Sequence, residues 1–166
     1  MADTSIPRVA LGATTLNKKW YLDVNTGTDA TPTWVGVFGI QEFKPSVDST
    51  AGDTSDFASG WKGSQKTALA WGLEFKLKRA STAASATAYD PGQEALRTKA
   101  GQLGVAGRVS LRWYEMDSGG PRIEAYQGWG SVEWSDDGGD MAALSTVTVK
   151  VDGDGQRNAI THPTLG

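Results

Sequence analysis

The sequence predicts a mainly β fold, with two packed antiparallel sheets and one flanking helix, on three observations. Several segments alternate apolar and polar residues with a period of two, which is typical of half-buried strands. The chain also contains 21 glycines and seven tryptophans, a composition that favours turns and strands over helices. Only one segment has a helical pattern. At 166 residues we expect a single domain, residues 1–166, around one core.

About six strands are predicted from this alternation. They are KKWYLDV (18–24), WVGVFGIQEFKPSV (34–47), LAWGLEFKLKR (69–79), RVSLRWYEM (108–116), RIEAYQGWGSVEW (122–134) and STVTVKV (145–151). Gly128 and Gly130 interrupt the fifth strand and indicate a bulge or a close backbone approach. The segment MDSGGP has turn chemistry, so residues 108–134 are predicted to form a hairpin.

One helix is predicted at YDPGQEALRTKAGQLG, over about residues 92–103. Asp90 is a good N-cap, Pro91 suits the first helical position, and Gln93 has the spacing of a capping box. One face of this helix carries Leu96, Ala100 and Leu103. The preceding RASTAASATA (79–88) is predicted to be a flexible linker.

A polar stretch at about residues 48–66, DSTAGDTSDFASGWKGSQK, is predicted to be a long extended loop. Loops of this length are uncommon in compact domains and are usually functional or disordered. Fixing each backbone residue costs roughly 1–2 kcal/mol, which a polar segment cannot recover by apolar burial. Phe57 and Trp61 are embedded in it, and large aromatics dominate protein interfaces. We therefore interpret the loop as an arm that a partner orders.

The charge distribution argues against a nucleic-acid-binding protein. The net charge is −3 and the isoelectric point is near 5.1, so binding through neutralised phosphates is not expected. Residues 61–79 are mostly basic, whereas residues 133–154 are mostly acidic. This asymmetry is either an ordinary solvated surface or the complementarity of a head-to-tail contact between copies.

The sequence contains no recognisable catalytic constellation, so we predict that the protein is not an enzyme and needs no cofactor or metal. It has no cysteine and a single histidine, His162, which we interpret as a terminal tail residue. No phosphate-binding glycine loop, GxSxG or HExxH motif occurs, and nothing selects a glycosidase carboxylate pair. The acidic runs SDDGGD and VDGDG are interpreted as turns, with calcium binding as a minor alternative. A carbohydrate-binding β-sandwich stays open as an alternative because of the tryptophan count.

No signal peptide and no run of eighteen apolar residues occurs, so we expect a protein that is neither exported by a leader nor placed in a membrane.

Several segments together resemble one known family. They are WVGVFGIQEFKPSVDST, DTSDFASGWKGSQKTALAWGLEFKLKR, YDPGQEALR, EAYQGWGSVEWSDDGGDMAALSTVTVKVDGDG and the closing AITHP. Their succession resembles the major tail tube proteins of long-tailed, siphovirus-type bacteriophages, particularly those that infect actinobacteria. The resemblance spans nearly the whole chain from about Trp20.

The resemblance implies a tail-tube-type β-sandwich whose copies close into rings, with six copies joining their sheets into an inner barrel. Stacked rings form the virion tail, assembled in the host cytoplasm, and DNA passes through the lumen without specific binding. Implied partners are other copies of the chain, a tape measure protein, a tail terminator and baseplate or distal tail proteins. A related tail ring, a terminator or a secretion-tube protein stays open as an alternative.

Two sets of residues are the candidate subunit interface. The first set lies on the predicted loop and consists of Asp48, Asp53, Asp56, Phe57, Trp61 and Lys62. The second set lies on the polar strand face and consists of Glu74, Lys76, Lys78 and Arg79, which we expect to set the register between copies.

Overall fold

A computed structural model describes residues 9–58, 60–116 and 120–163. These residues form ten strands, one α-helix and two short 3-10 helices, at Asn17–Lys19 and Gly104–Gly107. The strands are β1 (Trp20–Asn25), β2 (Trp34–Gly36), β3 (Ile40–Asp53), β4 (Ser64–Lys78), β5 (Ser81–Thr82), β6 (Ser85–Tyr89), β7 (Arg108–Glu115), β8 (Ala125–Asp136), β9 (Thr146–Gly153) and β10 (Asn158–Ala159). The helix, α1, spans Pro91–Ala100.

Eight strands form one antiparallel sheet in the order β2-β1-β7-β8-β9-β4-β3, with β10 beside β8. The first half of β8 pairs with β7, whereas its second half pairs with β9. Aromatic contacts cross between strands that are not neighbours in this order: Trp71 of β4 stacks on Trp113 of β7, with ring centroids 4.9 Å apart. The sheet therefore folds over itself at β8 into two packed layers, which confirms the predicted fold class.

The core lies between these layers, and two glycines make room for its central tryptophan. A Cβ at Gly128 would lie 2.6 Å from the Trp71 ring, and one at Gly153 would lie 2.4 Å from it. Trp71 is 5% exposed and donates its ring N–H to the carbonyl of Gly155 at 3.0 Å. The register between β7 and β8 continues unbroken past Gly128, so this glycine serves a close approach and not a bulge.

Helix α1 begins as predicted, with the Asp90 carboxylate accepting a hydrogen bond from the Gln93 backbone N–H at 3.0 Å. The Gln93 side chain does not complete the capping box; it donates to the carbonyls of Phe38 and Lys78. The helix ends at Ala100, earlier than predicted. Leu103, which we expected on its apolar face, is consequently 93% exposed.

Two sequence predictions need correction. The predicted strand 34–47 is two strands, because the chain turns between them at Gly39, whose φ of +82° suits glycine. The predicted linker 79–88 contains the β5–β6 hairpin. The predicted hairpin over 108–134 is formed by β7 and β8, although residues 117–119 of its turn lie outside the described residues. Among the described residues, no helix is long and apolar enough to cross a membrane.

Candidate subunit interface

The predicted long loop is in fact mostly a β-ribbon. Strand β4 pairs with β9 only over Gly72–Lys78, whereas its earlier residues back to Ser64 pair with β3 alone. The connection between the two strands is thereby reduced to residues 54–63. We call residues 48–70 the arm. Its threonines and serines suit extended backbone even without an apolar alternation, which is why the sequence pattern did not reveal the ribbon.

The arm is held together by local hydrogen bonds. Near its tip, the Asp53 carboxylate accepts from the Ser55 N–H at 2.8 Å, and the Gly63 N–H donates to the Ser55 hydroxyl at 2.9 Å. Hydrogen bonds from the Ser55 hydroxyl and amide keep the pKa of Asp53 below its usual value. The Thr67 hydroxyl donates to the Thr50 carbonyl beside a register shift. Asp53 thus has a structural role in the tip.

The arm carries large apolar side chains into solvent. Phe57 is fully exposed, Trp61 is 87% exposed and Leu69 is 68% exposed. Asp48, Asp56 and Lys62 are also exposed on the arm, and Asp56 accepts a hydrogen bond from the Ala58 N–H at 3.0 Å. A two-stranded ribbon alone is only marginally stable in water. The exposed aromatics of the arm are not packed in the core, so they add little to the stability of the single chain. The arm therefore has the chemistry of a surface for another protein.

The polar strand face lies on the side of β4 that is opposite to the core. Lys76 and Lys78 share this face with Glu74, which is directly opposite both Lys44 of β3 and Lys150 of β9. Glu133 of β8 is in turn opposite Lys150. Four adjacent strands thus carry a row of alternating charges, Lys44, Glu74, Lys150 and Glu133, in which opposite charges face each other and support the pairing.

Part of the basic and acidic asymmetry is neutralised within one chain. The Lys76 ammonium lies 3.7 Å from the Asp137 carboxylate. Asp137 also accepts hydrogen bonds from the hydroxyls of Thr146 and Thr148, both at 2.6 Å. These hydroxyls, and to a lesser degree Lys76, lower the pKa of Asp137. The run SDDGGD therefore organises the turn before β9.

Arg79 lies apart from the polar face on which we expected it. Its guanidinium donates to Gln93 at 3.0 Å and to Glu94 at 2.8 Å, and it stacks over the Tyr89 ring at 3.8 Å. The Arg79 side chain is only 9% exposed. It fastens α1 to the end of β4, and its charge is satisfied within the chain. Nothing local in the sequence revealed this role, because its partners follow it by ten to fifteen residues.

A second polar cluster, which the sequence reasoning missed, fixes both ends of the described chain to β7. Lys19 binds Glu115 at 2.8 Å, and His162 hydrogen-bonds the Glu115 carbonyl while packing edge-on against Tyr114. His162 is therefore docked and is not a loose tail residue. Asp23 accepts from Arg112 at 2.7 Å and from the Tyr114 hydroxyl at 3.2 Å.

These contacts shift two pKa values. Burial alone raises the pKa of Glu115, but the hydrogen bond from Lys19 and those from the Ile123 and Glu124 amides lower it to about 2. Burial, followed by the charge of Asp23, raises the pKa of the Tyr114 hydroxyl to about 12. Both groups keep their ordinary protonation state at neutral pH, as expected of structural pairs.

The tryptophans do not form a sugar-binding row. Trp71 and Trp113 are buried, and Trp20 and Trp134 pack against the core. Trp34 lies under Arg112 at 4.6 Å, and Trp129 lies under Arg108 at 5.2 Å. Within the described residues, Trp61 is the single tryptophan that is largely exposed. No group of three possible metal ligands occurs in the described part of the chain either.

Among the described residues, both lateral borders of the sheet are strands that pair on one side only. β2, at one border, has only three residues. β3, at the other border, has fourteen and pairs only with β4 among the described residues. Pro45, which cannot donate a ladder hydrogen bond, sits in β3, as is typical of an edge strand. Pro45 and the charges of Glu42 and Lys44 limit unspecific pairing, but the rest of this edge offers unpaired backbone groups to another chain.

The fold is shared with chains of assembled tail particles. One is a chain from the tail of an empty gene transfer agent particle, determined with helical refinement and C6 symmetry; it matches with a TM-score of 0.63 and 9% identity, over 89% of this chain and all of that one. A chain from the virion of the native gene transfer agent particle has a TM-score of 0.59 and 9% identity, with the same coverage. A chain from the six-fold symmetrised baseplate of an anti-feeding prophage has a TM-score of 0.54 and 6% identity, over 95% of this chain and 97% of that one.

At these identities the similarity establishes the fold alone. No protein-family model matches the chain, and no curated protein matches it in sequence. The chain therefore has the mainly β fold, with one helix, that is found in these tail and baseplate chains.

Proposed function

We propose that this chain is a structural, non-enzymatic protein of a siphovirus-type phage tail, in which six copies form a ring and rings stack into the tail tube. The arm carries this proposal, because it places Phe57 and Trp61 in water on a ribbon that the rest of the sheet does not support. The shared fold supports the class, since the similar chains come from tail and baseplate assemblies, two of which were determined with six-fold symmetry.

The arm would be ordered by contacts with neighbouring copies, in the same ring and in the adjacent ring. Heterologous contacts generate rings when the rotation closes and open filaments when it does not, so a tube needs one contact of each kind. A side-by-side contact would use the sheet borders. The arm, which extends beyond the layer that contains β9, has the reach for the contact between rings.

The polar strand face is the candidate lining of the lumen. On it, Lys44, Lys76, Lys78 and Lys150 stand among Glu42, Glu74, Glu133 and Asp152. DNA carries about one negative charge per 1.7 Å of axis and is held by surfaces that release its counterions. A lining in which Lys44, Lys76 and Lys150 are each beside a carboxylate, on a chain of net charge −3, suits the passage of a genome better than its capture.

The same proposal implies a place and partners for the chain. As one domain over residues 1–166, it would assemble in the host cytoplasm and remain in the virion tail. It would contact a tape measure protein inside the tube, a terminator at one end and baseplate or distal tail proteins at the other. The resemblance of its segments would place the phage particularly among those that infect actinobacteria.

A second candidate function is a ring elsewhere in the tail, such as a baseplate or terminator ring. The similarity to a baseplate chain favours it. A ring of this kind would close without stacking, whereas a tube protein stacks without limit.

Electron microscopy of the purified protein over a range of concentrations tests the proposal. We expect hollow tubes of variable length, and sedimentation velocity should show species that grow with concentration. Discs that never stack would support the ring alternative. A protein that stays monomeric at every concentration would refute assembly altogether, and quenching of tryptophan fluorescence by glycans would then favour the sugar-binding alternative.

A further inference from the structure

One layer of the folded sheet has two unpaired edges. β7 leaves β8 after Ser131, so residues 132–136 of β8 pair with β9 on one side and with no described strand on the other. Across β9 and β4, the layer ends at the outer edge of β3. Every pairing in this layer is antiparallel, so β8 and β3 run in opposite directions.

These directions are compatible with a ring. In a ring, a rotation relates neighbouring copies, so their strands keep the same direction relative to the ring axis. β8 of one copy then meets β3 of the next copy as an antiparallel neighbour. Apart from Pro45 of β3, which has no N–H, both edges offer backbone N–H and C=O groups that a sheet partner would satisfy. β3 is long enough for the whole free part of β8.

The row of alternating charges ends in opposite signs at these two edges. It begins with Lys44 on β3 and finishes with Glu133 on β8, and both side chains are exposed. The neighbouring Trp134 is on the other face of β8 and packs against the core, so Glu133 points away from it. A seam that joins the two edges in line would therefore continue the alternation from one copy to the next.

We propose that residues 132–136 of β8 pair with β3 of the adjacent copy in the register that places Glu133 opposite Lys44. The proposal rests on the proposed function and names the contact within a ring. Sliding the strands by two residues would place Glu133 opposite Glu42 in one direction and opposite Ser46 in the other. A slide by four residues in the direction of Ser46 would place Glu133 opposite Asp48. Like charges directly opposite destabilise a sheet, which disfavours the registers at Glu42 and Asp48, and only Lys44 offers Glu133 an opposite charge.

Mixed single-cysteine proteins test the register directly, because the natural chain has no cysteine. Lys44→Cys protein is mixed with Glu133→Cys protein before assembly and then oxidised, so every heterodimer is an intermolecular disulfide. Opposite residues in antiparallel strands have Cα atoms about 4.5–5.5 Å apart, within the range of a disulfide. Ser131→Cys and Ser135→Cys are matched controls, since diagonal positions lie at about 7–8 Å. We expect heterodimers from the Glu133 variant and few from the controls.

Charge reversal tests whether the pair selects the register. Lys44→Glu and Glu133→Lys should each raise the concentration needed for assembly by about threefold or more, and the double variant should recover most of that loss. Within one chain the two residues are separated by three strand spacings, about 14 Å. The two charge reversals also disturb contacts with Glu74 and Lys150 within the chain, but their effects on the melting temperature of the monomer should add.

The outcomes separate this inference from the proposed function. Tubes or rings without a disulfide between positions 44 and 133, or with one at a control position, would overturn the register and leave assembly intact. Additive effects of the two charge reversals on assembly would also overturn it. A protein that never assembles would overturn the proposed function and the seam together.

Discussion

Truncating the two aromatics of the arm should strongly weaken assembly without weakening the fold. Phe57 is fully exposed and Trp61 is 87% exposed, so the isolated subunit gains little stability from either side chain. Surface substitutions of this kind usually change the free energy of unfolding by no more than about 0.5 kcal/mol. The double variant Phe57→Ala with Trp61→Ala should therefore melt close to the wild type.

The cost to assembly follows from the area that these side chains can bury. A large aromatic buries about 150–250 Å². At about 25 cal/mol per Å², this corresponds to roughly 4–6 kcal/mol per side chain, before the cost of ordering the arm. A truncation at an interface anchor commonly costs about 2 kcal/mol or more. Two such losses would raise the concentration needed for assembly by on the order of several hundredfold.

Pelleting of assembled protein over a concentration series, with negative-stain images of each point, measures this shift. Leu103→Ala is the matched control, because Leu103 is 93% exposed but lies beyond α1 and not on the arm. The reasoning fails if the double variant assembles at the wild-type concentration. It also fails if the monomer melts many degrees lower, since the aromatics would then belong to the fold.

Three further predictions concern the fold. Gly153→Ala would place a Cβ 2.4 Å from the Trp71 ring, so it should cost about 1–3 kcal/mol and lower the melting temperature by roughly 3–10 °C, whereas Gly12→Ala, which meets nothing within 4 Å, should not. Burial opposes ionisation of Glu115, but a lysine and two amides lower its pKa to about 2. The ionised carboxylate therefore contributes its full stabilisation above pH 4.5, and this contribution is lost as the pH falls towards 2. Glu115→Gln should remove this loss, so the free energy of unfolding of the variant should change less over that pH range. Burial raises the pKa of Tyr114 to about 12, so stability should fall as the pH rises from 10 towards 12, and Tyr114→Phe should remove this loss if the hydroxyl is its source.

The strands could be predicted from the sequence because their signal is local. In β9 and in the second half of β4 the side chains alternate between a buried and a solvated face, and this period is visible in the chain itself. β7 has the same period in its sequence, although the fold buries both of its faces. The start of α1 was equally visible, since Asp90 and Pro91 are local cap signals. Its end was placed wrongly, because Gly101 and Gly104 are both stop signals and the helix ends at the first of them.

The contacts between distant segments could not be predicted in this way. The row from Lys44 to Glu133 depends on the register of three strand pairs, and no local period reports that register. The position of Arg79 depends on where α1 and the β5–β6 hairpin pack. The arm was found as a long polar segment with two aromatics, but its ribbon structure continues a ladder that begins in the core, beyond the reach of the segment's own sequence.

The arm and the sheet borders present the same physical problem in two forms. The arm exposes apolar side chains, and the edge of β3 exposes backbone hydrogen-bonding groups over fourteen residues. A protein that functions alone would usually shorten such an edge or cover it, because it is a site of aggregation. Here the edge is long, and its exposed face carries Glu42 and Lys44 in a pattern that balances along the sheet and does not repel a neighbour. A surface that attracts a partner in one register and disfavours the shifted registers has the properties of an assembly contact. The association of copies that pairs the sheet edges would then also supply the free energy that orders the arm.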